Sequence, residues 1–310
     1  MIVTVTMNPA IDKTVDIERM IQGGLNRIQR VEMDAGGKGI NVSKTIQALG
    51  GRSIATGFIG GKTGDIIEGV LNEYTGITTD FVRVDGETRT NLKVVEQRGE
   101  VTELNEPGPS ADKDQMEALF TKLEHYAGPE TLFVLAGSIP KGMDPGIYRI
   151  ITEKVHEKGA KVLMDADGEL FVEALKAKPD MLKPNRVELE AFYEMNYRAS
   201  EQELVYMGRK LLDNGAKLAA ISMGQMGALF ITDSGIYRCP GLMVKAHSTV
   251  GAGDAMVAAM AYSWDQKLSI EETVELCMAV SAGAVTTIGT KPPSKDVVDE
   301  LKKQVVIQKI

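Results

Sequence analysis

The stretch Ser248-Thr249-Val250-Gly251-Ala252-Gly253-Asp254-Ala255-Met256 runs into an apolar helical pattern through Val257, Met260, Ala261 and Trp264. Its small residues let the backbone turn sharply and aim successive N–H groups at an anion. The positive end of the helix dipole adds to that attraction. Asp254 is an odd companion for such a site. A carboxylate repels a phosphate, unless its work is to take a proton from an attacking hydroxyl. The same residue is also a favourable acid in a helix first turn, and spacing leaves both readings open.

A second loop, Asp34-Ala35-Gly36-Gly37-Lys38-Gly39-Ile40-Asn41-Val42, holds three glycines in four residues. A ligand can lie directly on such a backbone, with Lys38 and Asn41 offering charge and hydrogen bonds; a tight turn before a helix needs the same glycines. Ser222-Met223-Gly224-Gln225-Met226-Gly227 closes a strand and admits a flat or phosphorylated ligand. Leu182-Lys183-Pro184-Asn185-Arg186-Val187-Glu188 sets Asn185 and Glu188 three apart at a helix start. They share one face there, suited to a hydrated Mg²⁺ or to a variant capping box. Gly57-Phe58-Ile59-Gly60-Gly61-Lys62-Thr63 looks like the end of a P-loop, but Thr56 stands where that motif requires its first glycine. It is expected to be a turn and a helix start.

Alternating elements must position these loops. Strands are expected at Ile2–Met7, Ser53–Ile59, Leu132–Ala136, Lys161–Asp165 and Leu218–Ser222. Helices are expected at Gly39–Leu49, Asp65–Asn72, Asp112–His125, Pro145–Lys158 and Ser200–Asn214. This rhythm implies an α/β fold with a mostly parallel sheet covered by helices on both faces, and a ligand crevice at the carboxyl ends of the strands. Thr14–Met33 and Arg83–Leu104 break the rhythm with alternating residues and a Gly99 turn. Together they suggest a small antiparallel lid, about 12–34 and 83–105, on a single domain spanning 1–310.

Composition narrows the function. The chain has 310 residues, 35 Lys+Arg against 43 Asp+Glu, a formal charge of −8, and 43% hydrophobic residues. That balance excludes a disordered chain and argues against a nucleic-acid partner. Two cysteines, Cys239 and Cys277, and three scattered histidines, His125, His156 and His247, argue against a disulfide framework and a zinc site. The 16 methionines read as adaptable core filler. The first residues lack a signal peptide's basic front and long apolar run, and no stretch approaches the ~18 apolar residues of a membrane span, so cytoplasmic residence without a membrane partner is the expectation. A dinucleotide-binding enzyme would want Gly-x-Gly-x-x-Gly after the first strand, where Asn8-Pro9-Ala10 stands instead.

Gly36-Gly37-Lys38-Gly39-x-Asn41 and Thr249-Val250-Gly251-Ala252-Gly253-Asp254 resemble the two signatures of the ribokinase/PfkB sugar kinases. Lys183-Pro184-Asn185-x-x-Glu188 and Ser222-x-Gly224-x-x-Gly227 fall between them in the family's order, so the resemblance covers essentially the whole chain. Thr6-Met7-Asn8-Pro9-Ala10-Ile11-Asp12, Glu87-Thr88-Arg89-Thr90-Asn91 and Ala136-Gly137-Ser138-Ile139-Pro140 resemble its phosphosugar branch, which holds 1-phosphofructokinases, tagatose-6-phosphate kinases and a bacterial 6-phosphofructokinase.

The resemblance implies a ribokinase-like fold and ATP-dependent phosphorylation of fructose 1-phosphate at its 6-hydroxyl, with the tagatose 6-phosphate and fructose 6-phosphate reactions as alternatives. A non-catalytic sugar-phosphate sensor is a remoter one. The resemblance makes Asp254 the general base and Gly251, Ala252 and Gly253 the anion hole. Asp12, Gly37, Lys38 and Asn41 would hold the sugar, and Arg89 and Ser138 its phosphate. Arg27 on the lid is a further candidate, against the reading of a solvated surface charge. Lys183, Ser222, Gly224 and Gly227 would line the nucleotide, with Asn185 and Glu188 holding Mg²⁺ through water. The Ser248-Thr249 opening departs from the Asp-Thr form of ribokinase-like members and leaves a monovalent cation open. Strand-rich lids in the family pair into homodimers, which is the expectation here.

Overall fold

The computed structural model describes residues 1–247 and 249–310; the Ser248 part of the expected anion loop lies outside the described residues. The strands are β1 (Ile2–Thr6), β2 (Ala10–Ile17), β3 (Arg30–Gly36), β4 (Ser53–Ile59), β5 (Ile77–Thr79), β6 (Val82–Arg83), β7 (Arg89–Glu96), β8 (Val101–Asn105), β9 (Leu132–Ala136), β10 (Lys161–Asp165), β11 (Met181–Leu182), β12 (Leu218–Ser222), β13 (Ala228–Thr232), β14 (Gly235–Cys239) and β15 (Gln308–Lys309). The helices are α1 (Lys38–Ala48), α2 (Gly61–Asn72), α3 (Lys113–Tyr126), α4 (Ile147–Glu157), α5 (Gly168–Leu175), α6 (Arg186–Phe192), α7 (Glu201–Asp213), α8 (Ala252–Asp265), α9 (Ile270–Ala284) and α10 (Lys295–Lys302).

The large sheet runs β15-β14-β13-β12-β11-β10-β9-β1-β4-β5, with β6 beside β4. From β12 to β5 every pairing is parallel, and β13 to β15 add an antiparallel edge. Period-2 alternation sorts the strand residues between two cores. Val3, Val5, Phe133 and Leu135 face one layer with Leu123, Tyr148, Ile151 and Leu204 of the helices α3, α4 and α7. Ile2, Leu132 and Val134 face the other, with Ile46 of α1, Val257 of α8, Val280 of α9 and Leu301 of α10. Helix α8 is buried from Asp254 through Ala261, which explains its run of Ala and Met where an amphipathic pattern would be usual.

The second sheet has the order β3-β2-β7-β8. Its outer pairs are antiparallel, as expected, while β2 and β7 at its centre run parallel in the register Asp12↔Asn91. Arg83 belongs to β6 on the large sheet, so the lid is narrower than 83–105 on that side. Alternation gives the lid two unlike faces. Asp12, Asn91 and Asn105 fall on one face, and Val15, Val31, Val94 and Leu104 on the other. The lid is rooted by the fully buried Lys44 of α1, whose Nζ donates to Asp34 Oδ2 at 2.6 Å and to the Ala35 carbonyl at 2.9 Å.

Helix α2 begins at Gly61, four residues before the expected Asp65. The Glu87 carboxylate accepts from the backbone N–H groups of Lys62 (3.2 Å) and Thr63 (3.0 Å), and Thr88 Oγ1 accepts from Gly60 N–H (2.8 Å). This cap comes from a distant segment, so the local pattern could not announce it.

Candidate active site

The carboxyl ends of the central parallel strands converge on one cavity of about 910 Å³. Chain order reverses at β1, with β4 on one side and β9 on the other, and ligands of open α/β sheets bind at such a switch point. Its walls include Thr6 at the end of β1 and Asn8 after it, Ser138 after β9, Asp165 of β10 and Lys183 after β11. The lid closes one side with Asp12, Arg89, Asn91 and Lys93, and the start of α8 closes the other. Every expected site residue lines this cavity except Arg27, which stands on an exposed loop between β2 and β3.

Asp254 lies in the first turn of α8 and is 9% exposed, with Oδ2 accepting from Asn41 Nδ2 at 2.8 Å. Burial, then the charge of Asp165, pushes its pKa up to about 6, while Asn41, Lys38 and Lys183 pull the other way. A carboxylate tuned there is ionised at neutral pH yet basic enough to share a proton with an alcohol. Asn41, expected to touch the sugar, thus also orients Asp254. Before it, Gly251 caps α8 at φ +89°, a left-handed conformation that glycine adopts freely, and Gly251, Ala252 and Gly253 line the cavity. Gly37 has φ +111°, and a Cβ there would lie 2.8 Å from Thr6 Cγ2.

The capping-box reading of Asn185 and Glu188 holds. Asn185 Oδ1 accepts from Glu188 N–H at 2.9 Å and Glu188 Oε2 accepts from Asn185 N–H at 2.8 Å, a complete capping box on α6. Both side chains also line the cavity, and burial raises the Glu188 pKa against the pull of Lys183. Gly224 and Gly227 bracket a 3-10 turn on the same wall, and Ser222 precedes it. Arg89 donates through Nε and Nη2 to the Asn8 carbonyl at 3.3 and 3.1 Å and through Nη1 to the Glu106 carbonyl at 3.3 Å. Burial lowers its pKa, opposed by Asp12.

A profile of the pfkB family carbohydrate kinases matches residues 5–296. This chain belongs to that family. It is 34% identical to the 1-phosphofructokinase of Bacillus subtilis (strain 168) over 310 residues, the whole of both chains. It is 32% identical to the D-tagatose-1-phosphate kinase of Bacillus licheniformis, with 99% of each covered. Its fold matches the crystal structure of phosphofructokinase-2 from Escherichia coli in complex with potassium at a TM-score of 0.92, with 27% identity and 98% of each chain covered. As a carbohydrate kinase it works with ATP and a divalent metal.

The oxygen donors Asn185 and Glu188 suit a magnesium ion that keeps its waters and binds mainly through phosphates. Among the described residues no cluster of three or more His, Cys, Asp or Glu side chains forms a protein-only metal cage. Thr6 Oγ1, Asn8 Oδ1, Asn41 Oδ1, Asn91 Oδ1 and Ser281 Oγ are buried without a hydrogen-bond partner among the described residues, and all five residues line the cavity. Such oxygens need partners, and a polyhydroxylated ligand supplies them. Sequence reasoning missed Asp165, Thr6, Asn8, Asn91 and Lys93. For Asp165 a signal existed: a carboxylate ending the apolar central strand Val162-Leu163-Met164, where the ligand crevice lies.

Proposed function

We propose that the chain transfers the terminal phosphoryl group of ATP to the 6-hydroxyl of fructose 1-phosphate, giving fructose 1,6-bisphosphate, as one kinase unit with a β lid in the cytoplasm. The observation that carries this reading is Asp254, buried beside the open Gly251-Ala252-Gly253 turn and held by Asn41 in the same cavity as Arg89 and Ser138. Asp254 takes the hydroxyl proton as the oxygen attacks phosphorus, and the amides of Gly251, Ala252 and Gly253 receive the charge on the moving phosphoryl oxygens. Asp12, Gly37, Lys38 and Asn41 orient the furanose, while Arg89 and Ser138 hold its phosphate. Lys183, Ser222, Gly224 and Gly227 line the nucleotide, and Asn185 and Glu188 hold Mg²⁺ through water. When bound, that ion neutralises phosphate charge.

The Bacillus licheniformis relative supports a second reading, tagatose 1-phosphate, which differs from fructose 1-phosphate only in the configuration at C4. The deciding experiment assays the purified protein with ATP and fructose 1-phosphate, tagatose 1-phosphate, tagatose 6-phosphate or fructose 6-phosphate. The highest kcat/KM is expected for fructose 1-phosphate, and a higher value for any rival overturns the choice. Repeating the assay in potassium and in sodium tests for a monovalent cation.

We also infer a homodimer through the outer face of the lid. Val31, Met33 and Leu104 are about half exposed there, beside the small cluster of Val15, Ile17 and Val94. Apolar lid surface of this kind is stabilised by a partner's matching face. Light scattering at a monomer's mass would remove this inference.

A further inference from the structure

One carboxylate in the cavity takes no part in the proton transfer above. Asp165 ends β10 and is 2% exposed, with Oδ2 3.1 Å from Lys38 Nζ and Oδ1 3.2 Å from Lys183 Nζ. The two lysines come from opposite halves of the site. Lys38 opens α1 beside the glycines of the sugar loop. Lys183 follows β11, and its Nζ lies 3.5 Å from where a Cβ on Gly253 would stand, against the anion turn.

We propose that Asp165 is a positioning residue that yokes Lys38 to Lys183, so that the acceptor half and the phosphoryl half of the site assemble in one register around Asp254. The strand supplies the rigidity. Asp165 pairs with Ala136 of β9, and its neighbour Met164 pairs with both β9 and β11, so the carboxylate is held by paired backbone. Lysine stems are long and flexible, and two ammonium groups in one low-dielectric pocket repel each other. A carboxylate between them reverses that repulsion and restricts both stems. Burial alone would raise the Asp165 pKa, but Lys183 and Lys38 hold it below its ordinary value, so the yoke stays charged. Lys38 is kept protonated in turn: burial works against its charge, and Asp165 followed by Asp254 outweighs burial.

The yoke also sets the field at Asp254. The groups facing Asp254 are Lys38 and Asn41 from α1, Asp165 from β10 and Lys183 after β11. Removing Asp165 takes away a like charge beside Asp254, and that change favours ionised Asp254.

This inference rests on Asp254 as the base, so the test separates the two. Wild type, Asp254→Asn and Asp165→Asn are compared for kcat against pH. Wild type should lose activity as pH falls through about 6. Asp254→Asn should lose that limb, and its persistence there refutes the base without touching the yoke. In Asp165→Asn the limb should move to lower pH by about one unit, with the plateau kcat reduced roughly 10- to 100-fold, as expected of misplaced groups. Calorimetry should show weaker binding of both phosphosugar and ATP. A limb that stays in place, or weakening confined to one ligand, overturns the yoke.

If Asp165→Asn does not fold, a double-mutant cycle decides. Lys38→Met and Lys183→Met share one carboxylate, so together they should lower kcat by less than the product of their separate effects. Independent, multiplicative losses overturn the proposal whatever Asp254 does.

Discussion

Two glycine-rich turns in this chain open a helix, one at Gly60-Gly61-Lys62-Thr63 and one at Gly251-Ala252-Gly253-Asp254. At the first, the chain fills its own anion position. Glu87 takes the amides of Lys62 and Thr63, and a Cβ on Gly61 would collide with the Glu87 carboxyl group. At the second, Gly251 and Gly253 line a large cavity, and the nearby acid is the third residue of the helix, turned to Asn41. Both helix starts present amides that have no partner within the helix, and a positive dipole. The difference is whether a protein carboxylate already sits on them. A phosphate-binding sequence pattern therefore becomes a phosphate site only where the fold withholds an internal anion.

The sharpest break of that comparison is Asp254→Asn, which should lower kcat by at least ~10²-fold with little change in the dissociation constant for ATP. Near-normal turnover would reduce Asp254 to the role of a helix-terminal acid. The same substitution tests burial. An aspartate whose folded pKa is raised to about 6 contributes stability below its unfolded value of 3.8, and loses it as pH rises through 6. Thermal melts should therefore favour the asparagine variant increasingly as pH rises through that range.

Arg89→Ala should raise KM for the phosphosugar roughly 10- to 150-fold, the worth of about 1.5–3 kcal/mol for a charged hydrogen bond. KM for ATP should stay near its original value; equal rises in both would place Arg89 outside the sugar-phosphate subsite. Gly251→Ala forces an L-residue into a left-handed conformation at a cost of about 1–2 kcal/mol. The expected result is a lower kcat with a modestly lower Tm. The nearest neighbour of the new Cβ, Thr290 Cα at 3.5 Å, is an ordinary contact, so an unchanged kcat would mean that the turn's geometry does not matter to the reaction.

The smallest effect belongs to the filled turn. Glu87→Gln should lower Tm and leave kcat unchanged. Amide hydrogen bonds to Thr63 and Lys62 hold the Glu87 carboxyl below its ordinary pKa of 4.5, so its contribution is present above that value. The Tm gap to wild type should close as pH falls into the acid range below 4.5. A fall in kcat instead would mean that this turn, too, serves the substrate.

Much of the architecture was legible because it is written in local periodicity. Ile2, Val3 and Val5, or Leu132 through Ala136, read as strands from β-branched and apolar runs. The helix from Ser200 was legible because its capping box is contained in neighbouring residues, Ser200 and Glu203. The start of α2 was not, since its cap arrives from Glu87. The parallel β2–β7 pairing escaped for a related reason: alternation announces a strand and its two faces, while the direction of its partner depends on the path of the intervening chain.

The site divides in the same way. Glycines at 37 and 251, an acid at 254 and the Asn185–Glu188 spacing could be read from the chain, because backbone freedom and helix-face geometry follow from residue type and separation alone. The sequence by itself determined which atoms were available for phosphoryl transfer. Asp165 between two lysines 127 and 18 residues away from it, and Asn41 on Asp254 across 213 residues, were decided only by the tertiary structure. Charge acts through space at a few ångströms, and burial removes the water that would screen it; neither distance nor burial exists until the sheet brings its strand ends together.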